Sequence, residues 1–231
     1  MFHEYFTSPG SFHLHRGSPN EDRVRVSCRD GLTSAAICDG AGSFDFGSDA
    51  AEVVCKTITE LFHTRFEMLF CIPTTELREI LVRTVEDALR EYSRICGIRE
   101  NELACTILAA AVHEDGRCLC IHLGDGIILQ KNKGDHRLSV VSCPMTGLAP
   151  HSTYLTMNCD LRHYLRIYRW ETKSLEQLLL LSDGAAEHLV RLQGGDGWVY
   201  TAEGADLHTI RTRLRTSNPR DDHSAVLLTR Q

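Results

Sequence analysis

The chain has 231 residues, of which 42% are hydrophobic and 24% are charged, so it can bury a substantial core and has an ordinary globular composition. Its formal net charge of −6 at pH 7 argues against the basic surface that nucleic-acid-binding proteins need. The sequence has no apolar run long enough to span a membrane, and residues 1–17 lack the pattern of a signal peptide. We therefore expect one soluble, cytoplasmic domain over residues 1–231, without nucleic-acid or membrane partners.

Ten cysteines are spread along the sequence, and no two of them form a C-x-x-C pair. Most of them lie inside apolar runs, where a free cysteine behaves as a small buried hydrophobic residue. Reduced thiols are therefore favoured over disulfides, and the spacing does not suit a zinc site. The cysteines are Cys28, Cys38, Cys55, Cys71, Cys96, Cys105, Cys118, Cys120, Cys143 and Cys159.

The first predicted elements are two strands followed by two helices. Residues 23–30 alternate between apolar and polar positions, which indicates a half-buried strand, and residues 33–40 are typical of its hairpin partner. The apolar residues then recur at helical spacing, which predicts two amphipathic helices. These helices cover Ser48 to about Phe66 and Thr74 or Thr75 to about Ile95.

The second half of the chain is richer in strands. Short turns between apolar runs predict an antiparallel meander, with strands near 103–113, 117–123, 126–131 and 137–142. Further strands are predicted at 153–157, 165–170, 178–182 and 224–230, and short helices at 185–192 and near 204–215. Two central helices between runs of strands, with more helix late in the chain, indicate a layered α+β domain.

Five acidic segments lie at predicted strand ends. A single Asp-Gly pair is usually a turn, so the interpretation depends on the whole set. Carboxylates held together by rigid strands raise one another's pKa unless a cation neutralises them. Oxygen ligands of this kind suit Mg²⁺ or Mn²⁺, and two such ions can turn a shared water into a nucleophile. The segments are "NED" (20–22), "CDGAG" (38–42), "GDG" (124–126), "SDG" (182–184) and "RDDHS" (220–224).

Other phosphate or metal sites fit the sequence less well. Residues 42–47 have the glycine spacing of a phosphate loop, but Ser48 stands where that loop requires lysine. Residues 39–50 lack the ligand pattern of a Ca²⁺ loop. A phosphatase with an aspartyl nucleophile would show Asp-x-Asp, but Ile37 stands two residues before Asp39. No cysteine lies in a Cys-x5-Arg loop, which argues against a cysteine nucleophile.

Taken in order along the chain, "NED", "DGAG", "ACT", "GDG", "LLSDG" and "RDDHS" resemble the motifs of the metal-dependent serine/threonine phosphatases of the PPM (type 2C) family. The resemblance runs from about Gly10 to Arg230, and "FHLHRGSPNED" is similar to the opening of compact bacterial members. It implies a central β-sandwich of two antiparallel sheets flanked by helix pairs, in α-β-β-α layers. It also implies hydrolysis of phosphoserine or phosphothreonine by a hydroxide that bridges two Mg²⁺ or Mn²⁺ ions.

The resemblance also implies a set of metal ligands. Asp39 would bridge the two ions, and the carbonyl of Gly40 would help to hold one of them, partly through water. Asp22, Asp183 and Asp221 would complete the metal shell. Asp39, Asp22 and Asp183 are accordingly the candidate catalytic residues.

Four neighbouring positions have less direct roles. Asp125 matches a residue that contributes to a third, weaker metal site in relatives, and Thr106 matches a supporting residue near the metals. Glu21 lies beside the metal shell. Asp222 stands next to Asp221 where relatives often have Asn, which leaves both aspartates open as the ligand.

The candidate for the substrate phosphate is Arg16. In the better-known branch of the family, an arginine lies five residues before the first metal aspartate, and here that position is Gly17. Arg16 is one residue earlier, and it could reach the phosphate if the loop differs from that of relatives. The alternative is that Arg16 is a solvated loop residue. If this segment is extended, His13 and His15 share one face, either as metal ligands or as a packed or solvated pair.

Two functions remain open from the sequence. The first is an active phosphatase acting on phosphoproteins made by a serine/threonine kinase, with a role in signalling. The second is a catalytically silent relative that serves as a binding or regulatory module. Because no metal carboxylate of the motif set is missing, the sequence favours catalysis.

Overall fold

In the computed structural model, the described residues are 1–145, 153–157, 160–193, 197–200 and 206–230. The β-strands in this part are β1 (Phe2–Ser8), β2 (Asp22–Arg29), β3 (Leu32–Asp39), β4 (Ile107–His113), β5 (Arg117–Leu123), β6 (Ile127–Asn132), β7 (Ser139–Ser142), β8 (Arg166–Glu171), β9 (Leu175–Leu181), β10 (Val190–Gln193), β11 (Gly197–Tyr200) and β12 (His223–Thr229). The α-helices are α1 (Ser11–Arg16), α2 (Gly47–Cys71), α3 (Thr74–Cys96), α4 (Leu161–Tyr164), α5 (Asp183–Leu189) and α6 (Leu207–Ser217).

Two five-stranded antiparallel sheets lie at the centre of the fold. The first sheet has the strand order β1-β12-β9-β6-β7, and the second has the order β2-β3-β4-β5-β8. Strands β10 and β11 form a separate hairpin. The predicted α+β fold with two antiparallel sheets is confirmed.

The run of leucines in β9 shows why the sheets stack. Successive side chains of a strand point to opposite faces. Leu178 and Leu180 pack into the core between the two sheets, whereas Leu179 and Leu181 pack into the core under the helices. All four are fully buried, and each contributes about 1.5–3 kcal/mol through burial of apolar surface. A strand that is apolar on both faces therefore requires a layer on each side.

Helices form the two outer layers. Helices α2 and α3 cover the second sheet, where Val54 and Ile58 share a core with Ala36 of β3. Helices α5 and α6 cover the first sheet, with Ala185 and Ile210 in the same core as the outer face of β9. The layers therefore follow the α-β-β-α order that the sequence predicted.

The predicted meander is wrong, because its strands belong to different sheets. Strands β4 and β5 pair in the second sheet, whereas β6 and β7 pair in the first. The short connection at residues 124–126 carries the chain from one sheet to the other. Turn residues predict that the chain reverses or bends, but they do not say which sheet the next strand joins.

Several element boundaries also differ from the prediction. The helix predicted at 185–192 ends at Leu189, because the backbone becomes extended at Val190 and continues as β10. Residues 153–157 contain no strand. Helix α2 continues to Cys71, since Leu69 extends its buried stripe. The sequence did not predict β1 or α1.

Two further observations concern the described residues alone. None of the helices in these ranges is long and apolar enough to cross a membrane. The nine cysteines in the described ranges are free, and Cys159 lies outside them. Residues 204–205 of the predicted late helix also lie outside the described ranges.

Candidate active site

The hairpin of β2 and β3 forms the floor of the candidate site. Asp22 begins β2, Asp39 ends β3, and the antiparallel register places them directly opposite each other. Only 1% of Asp22 is exposed, and neither of its carboxylate oxygens has a hydrogen-bond partner among the described residues. Like charges that face each other across a strand pair are destabilising. The hairpin therefore holds two acids that no cation among the described residues neutralises.

Five carboxyl groups converge here, and we call Asp22, Asp39, Asp125, Asp183 and Asp221 the acidic cluster. Burial raises the pKa of Asp22 to about 6. Burial, followed by the charges of the other four members, raises the pKa of Asp39 well above its ordinary value. Burial and three of the same neighbours do so for Asp183. Asp22, Asp39 and Asp183 are therefore costly to ionise without a compensating positive charge.

The first sheet supplies Asp183 and Asp221 from the end of β9 and the start of β12. Hydrogen bonds tie these strand ends together: Ser182 N donates to the Ser224 carbonyl (3.0 Å), and Ser224 N donates to the Ser182 hydroxyl (2.9 Å). Both serine hydroxyls lie beside Asp22 and oppose the rise of its pKa, but neither reaches it with ordinary hydrogen-bond geometry. The two sheets thus deliver their acids to one edge of the sandwich.

Asp125 joins the cluster from the connection between β5 and β6, where the chain changes sheets. The hydroxyl of Thr153 donates a hydrogen bond to its carboxylate. Burial raises the pKa of Asp125, and this hydrogen bond opposes the rise. The crossing between sheets therefore places a further acid beside the strand ends.

Thr106 positions the end of β3. Its hydroxyl accepts a hydrogen bond from Asp39 N (2.9 Å), and its own N–H donates to the Asp39 carbonyl (2.9 Å). Gly40 follows, and a Cβ atom there would lie 2.5 Å from the backbone of Gly47 at the start of α2. Only glycine permits this approach, which brings the positive end of the α2 dipole close to Asp39.

The structure separates Asp221 from Asp222. The Asp222 carboxylate is buried and accepts hydrogen bonds from Gly10 N (2.8 Å) and Glu21 N (2.6 Å), with His13 Nδ1 2.7 Å away. We call this group the Asp222 anchor. Asp221 instead lines the cleft, and its carboxylate accepts a bond from the N–H of Asp222 (2.9 Å). Of the two, only Asp221 presents its carboxylate to the cleft.

His13 belongs to the anchor. Burial lowers its pKa, but the hydrogen bond with Asp222 and the charges of Asp222, Glu21 and Asp221 outweigh this effect and raise it above the ordinary value. Because residues 11–16 are helical, His13 and His15 do not share a face, and His15 is exposed. The condition for a shared face is therefore not met, and His13 contacts the carboxylate of Asp222.

Glu21 lines the cleft beside the acidic cluster. Burial raises its pKa, the proximity of His13 (Nε2–Oε2 3.9 Å) lowers it, and Asp222 and Asp221 raise it further. A Cβ on Gly42 would lie 2.8 Å from its carboxylate, so the loop after β3 passes close to it. Glu21 is therefore a neighbour of the cluster, as the sequence predicted.

The acidic cluster opens into a cleft of about 960 Å³. Asp39, Asp125 and Asp221 line it, together with Thr106 and Gly40. On one side the lining includes Phe12, Arg16 and Arg220. The cleft is therefore acidic within and carries two arginines at its side.

The donors of the cluster suit a hard divalent cation. They are carboxylate oxygens, and those of Asp22 are buried without a partner in the described residues. In these residues, no three His, Cys, Asp or Glu side chains are arranged closely enough to hold an ion by themselves. Mg²⁺ commonly binds through one or two carboxylates and keeps several waters, so the arrangement fits such an ion.

The structure thus brings Asp22, Asp39, Gly40, Thr106, Asp125, Asp183, Asp221 and Glu21 to one edge of the sandwich, with Arg16 on the cleft wall. Their roles as metal, catalytic or phosphate-binding residues stay predictions. The sequence did not indicate Phe12 or Arg220. Apart from the proximity of Arg220 to "DD", it gave no signal that residues near positions 12 and 220 meet.

The sandwich with its acidic edge, together with a family match over most of the chain, places it in the class of protein phosphatases. The family model for protein phosphatase 2C matches residues 9–217. The chain therefore belongs to the protein phosphatase 2C family. No curated protein matches the sequence.

Solved structures with the same fold include three informative relatives. A bacterial serine phosphatase matches with a TM-score of 0.69 and 16% identity over 100% of this chain and 98% of that chain. Stp1 from Staphylococcus aureus, a serine/threonine phosphatase, matches with a TM-score of 0.66 and 17% identity over 99% and 94%. RsbX in complex with magnesium matches with a TM-score of 0.61 and 13% identity over 97% and 92%. At these identities the likeness shows the shared fold.

Proposed function

We propose that the chain hydrolyses phosphoserine and phosphothreonine in proteins with the help of two Mg²⁺ or Mn²⁺ ions. The observation that carries this proposal is that buried Asp22 faces half-buried Asp39 in register. Both have raised pKa values, and neither has a cationic partner among the described residues. An acid pair of this kind lowers the stability of the fold unless a cation binds to it.

Each member of the cluster has a proposed place. Asp39 would lie between the two ions, with Asp22, Asp183, Asp221 and the Gly40 carbonyl around them. Asp125 would contribute to a third, weaker site. When bound, such ions would supply a nucleophile from water and neutralise charge on the phosphate. The magnesium complex of RsbX, which has the same fold, supports this choice of metal.

The remaining residues would position these groups and the substrate. Thr106 fixes the backbone of Asp39 through two hydrogen bonds, which would help its carboxylate to keep one direction. Glu21 would accept hydrogen bonds from water at the side of the cluster. Arg16 would contact the substrate phosphate from the cleft wall, since a guanidinium donates two parallel bonds to an oxyanion.

The expected partners are phosphoproteins made by a serine/threonine kinase. Such substrates arise where ATP-dependent kinases act, and the free cysteines of the described ranges suit a reducing compartment, so we propose the cytoplasm and a role in signalling. We also propose that residues 1–231 act as one phosphatase domain, because acids near positions 22 and 221 contribute to the same cluster. A silent binding module is disfavoured because no carboxylate of the motif set is missing.

The test compares hydrolysis of a phosphothreonine peptide and of an aryl phosphate in Mn²⁺, Mg²⁺ and chelator. Turnover should require the metal, and Asp39→Asn should abolish it while the circular dichroism spectrum stays unchanged. Asp87→Asn, on the exposed face of α3, is the matched control and should behave as the wild type. A folded wild-type protein without turnover at any metal concentration would instead favour the silent binding module.

A further inference from the structure

Phe12, Arg16 and Arg220 form a group on the wall of the cleft that we call the arginine rim. The guanidinium carbon of Arg16 lies 4.1 Å from the centroid of the Phe12 ring, and that of Arg220 lies 5.7 Å from it. Both distances are within the range of cation–π contacts. Two cations from opposite ends of the sequence therefore rest on one aromatic ring.

The backbone fixes this arrangement. The N–H groups of Ser11 and Phe12 donate to the carbonyls of Pro219 and Arg220, at 2.9 and 3.0 Å. Next to them, a Cβ atom on Gly10 would lie 2.3 Å from the backbone of Asp221, so only glycine permits this contact. The start of α1 is therefore attached to the segment before β12, and Phe12 is held beside Arg220.

The two guanidinium groups are available for a ligand. Within the described residues, neither forms an ion pair with a carboxylate or donates a hydrogen bond. His13, the other basic residue of the cleft lining, is already engaged by Asp222. A guanidinium has five N–H donors in a planar fork that matches the oxygens of phosphate and carboxylate. Both groups contact the same ring and line the same cleft, so they offer two guanidinium groups to an anion bound there.

We propose that Arg16 and Arg220 jointly bind one oxyanion of the substrate, with Phe12 as the ring that holds both guanidinium groups. This inference rests on the proposed phosphatase function and adds Arg220 and Phe12 to it. The oxyanion has two possible sources: the phosphate that is removed, or an acidic side chain that flanks the phosphorylated residue. Both share the same chemistry, so the experiment must separate them.

The experiment measures kcat and KM for wild type, Arg16→Ala, Arg220→Ala, the double variant and Phe12→Leu. Three substrates are used: an aryl phosphate, a phosphothreonine peptide with neutral neighbours, and the same peptide with acidic neighbours. Arg83→Ala is the matched control, since Arg83 is exposed on α3 and does not line the cleft. Circular dichroism verifies that each variant is folded.

Each arginine variant should lower kcat/KM by about 10- to 100-fold, and the double variant by less than the product of the two, because both arginines bind one anion. Phe12→Leu should cost about 2- to 5-fold through loss of the ring. Equal losses on all three substrates identify the removed phosphate. Losses confined to KM for the acidic peptide identify the flanking side chain. Arg220→Ala kinetics equal to those of Arg83→Ala on every substrate overturn the inference and leave the phosphatase proposal intact.

A second measurement separates this inference from the proposed function. It records the binding of a fluorescent peptide that carries a non-hydrolysable phosphonate analogue of phosphothreonine, with neutral or acidic neighbours. If the wild type does not hydrolyse any substrate, the phosphatase proposal fails. Weaker binding of the analogue by Arg220→Ala than by Arg83→Ala then still supports the rim, and equal binding refutes it.

Discussion

Two buried acids at the edge of the sandwich, Asp222 and Asp22, differ in how their carboxylates are satisfied. The Asp222 carboxylate accepts hydrogen bonds from Gly10 and Glu21 and contacts His13. The carboxylate of Asp22 is equally buried but has no hydrogen-bond partner in the described part of the chain. A satisfied acid of this kind serves the fold, whereas an unsatisfied acid in a cleft indicates a ligand. The comparison assigns different roles to Asp221 and Asp222, although they are adjacent.

The largest expected effect is a difference in kcat/KM between the Asp221→Asn and Asp222→Asn variants. Asp221→Asn should lower kcat/KM by about 100-fold or more, since even residues that only orient metal ligands cost 10- to 100-fold. Asp222→Asn keeps an acceptor for only one of the two backbone N–H groups, because these bond to different oxygens. It should still lose less than about 10-fold in kcat/KM, since Asp222 does not line the cleft. Steady-state kinetics in Mn²⁺ give both values. A larger loss in Asp222→Asn would reverse the assignment.

The next largest effect concerns stability. Asp222→Ala removes the acceptor of two backbone N–H groups and the partner of His13, so it should lower the free energy of unfolding by about 3 kcal/mol. Asp87→Ala, in an exposed pair on α3, should cost less than about 0.5 kcal/mol. Urea unfolding in chelator measures both.

The cost of Asp222→Ala should also depend on pH. The pKa of His13 is raised, so its ion pair with Asp222 contributes fully below the unfolded value of about 6.5 and is lost as pH rises through the folded pKa. The difference between wild type and variant should therefore be larger near pH 6 than near pH 9. A difference that grows with pH would contradict this account.

A metal ion should stabilise the acidic cluster, and this stabilisation should grow with pH, in contrast to that of the His13–Asp222 pair. Mn²⁺ at about 100 times its dissociation constant should raise the free energy of unfolding by about 2.7 kcal/mol and the Tm by about 5–10 °C. Without metal, the raised pKa values of Asp22 and Asp39 mean that the protein loses stability as pH rises through them. Protons also compete with the ion, so the Mn²⁺-induced shift should shrink from about pH 8 to about pH 5.

Scanning fluorimetry of wild type and Asp39→Asn measures this shift. The variant should show a smaller response to Mn²⁺ at every pH. An equal response in both proteins would mean that the ion binds elsewhere.

The smallest expected effect is the change in stability and activity when the Thr106 hydroxyl is removed. Thr106→Val removes the hydroxyl that accepts from Asp39 N, which should cost about 1 kcal/mol of stability. Thr106→Ser keeps the hydroxyl and should retain most of the Mn²⁺-dependent activity, whereas Thr106→Val should lose several-fold. Urea unfolding and steady-state kinetics test the pair, and indistinguishable variants would remove Thr106 from the supporting role.

The sequence predicted those parts of the fold and site that depend on local pattern. Alternation and helical spacing were sufficient for the β2–β3 hairpin and for α2 and α3, and the acidic strand ends identified Asp22 and Asp39. It did not predict β1, because most of its side chains are exposed and give little alternation. The arginine rim was missed for a different reason. Residues 12 and 220 meet through backbone hydrogen bonds beside the paired first and last strands, and no local pattern encodes this long-range contact.

The pairing of β1 with β12 also has a consequence for folding. Asp22 and Asp39 come from one hairpin, which closes quickly because its loop is short. The Asp222 anchor joins residues 10–21 to residue 222, and this closure spans most of the chain. Contacts of such long range form slowly. During refolding, we therefore expect the β2–β3 hairpin with Asp22 and Asp39 to form first. High affinity for Mn²⁺ should develop last, when the two ends of the chain pair, so Mn²⁺ binding would report that step.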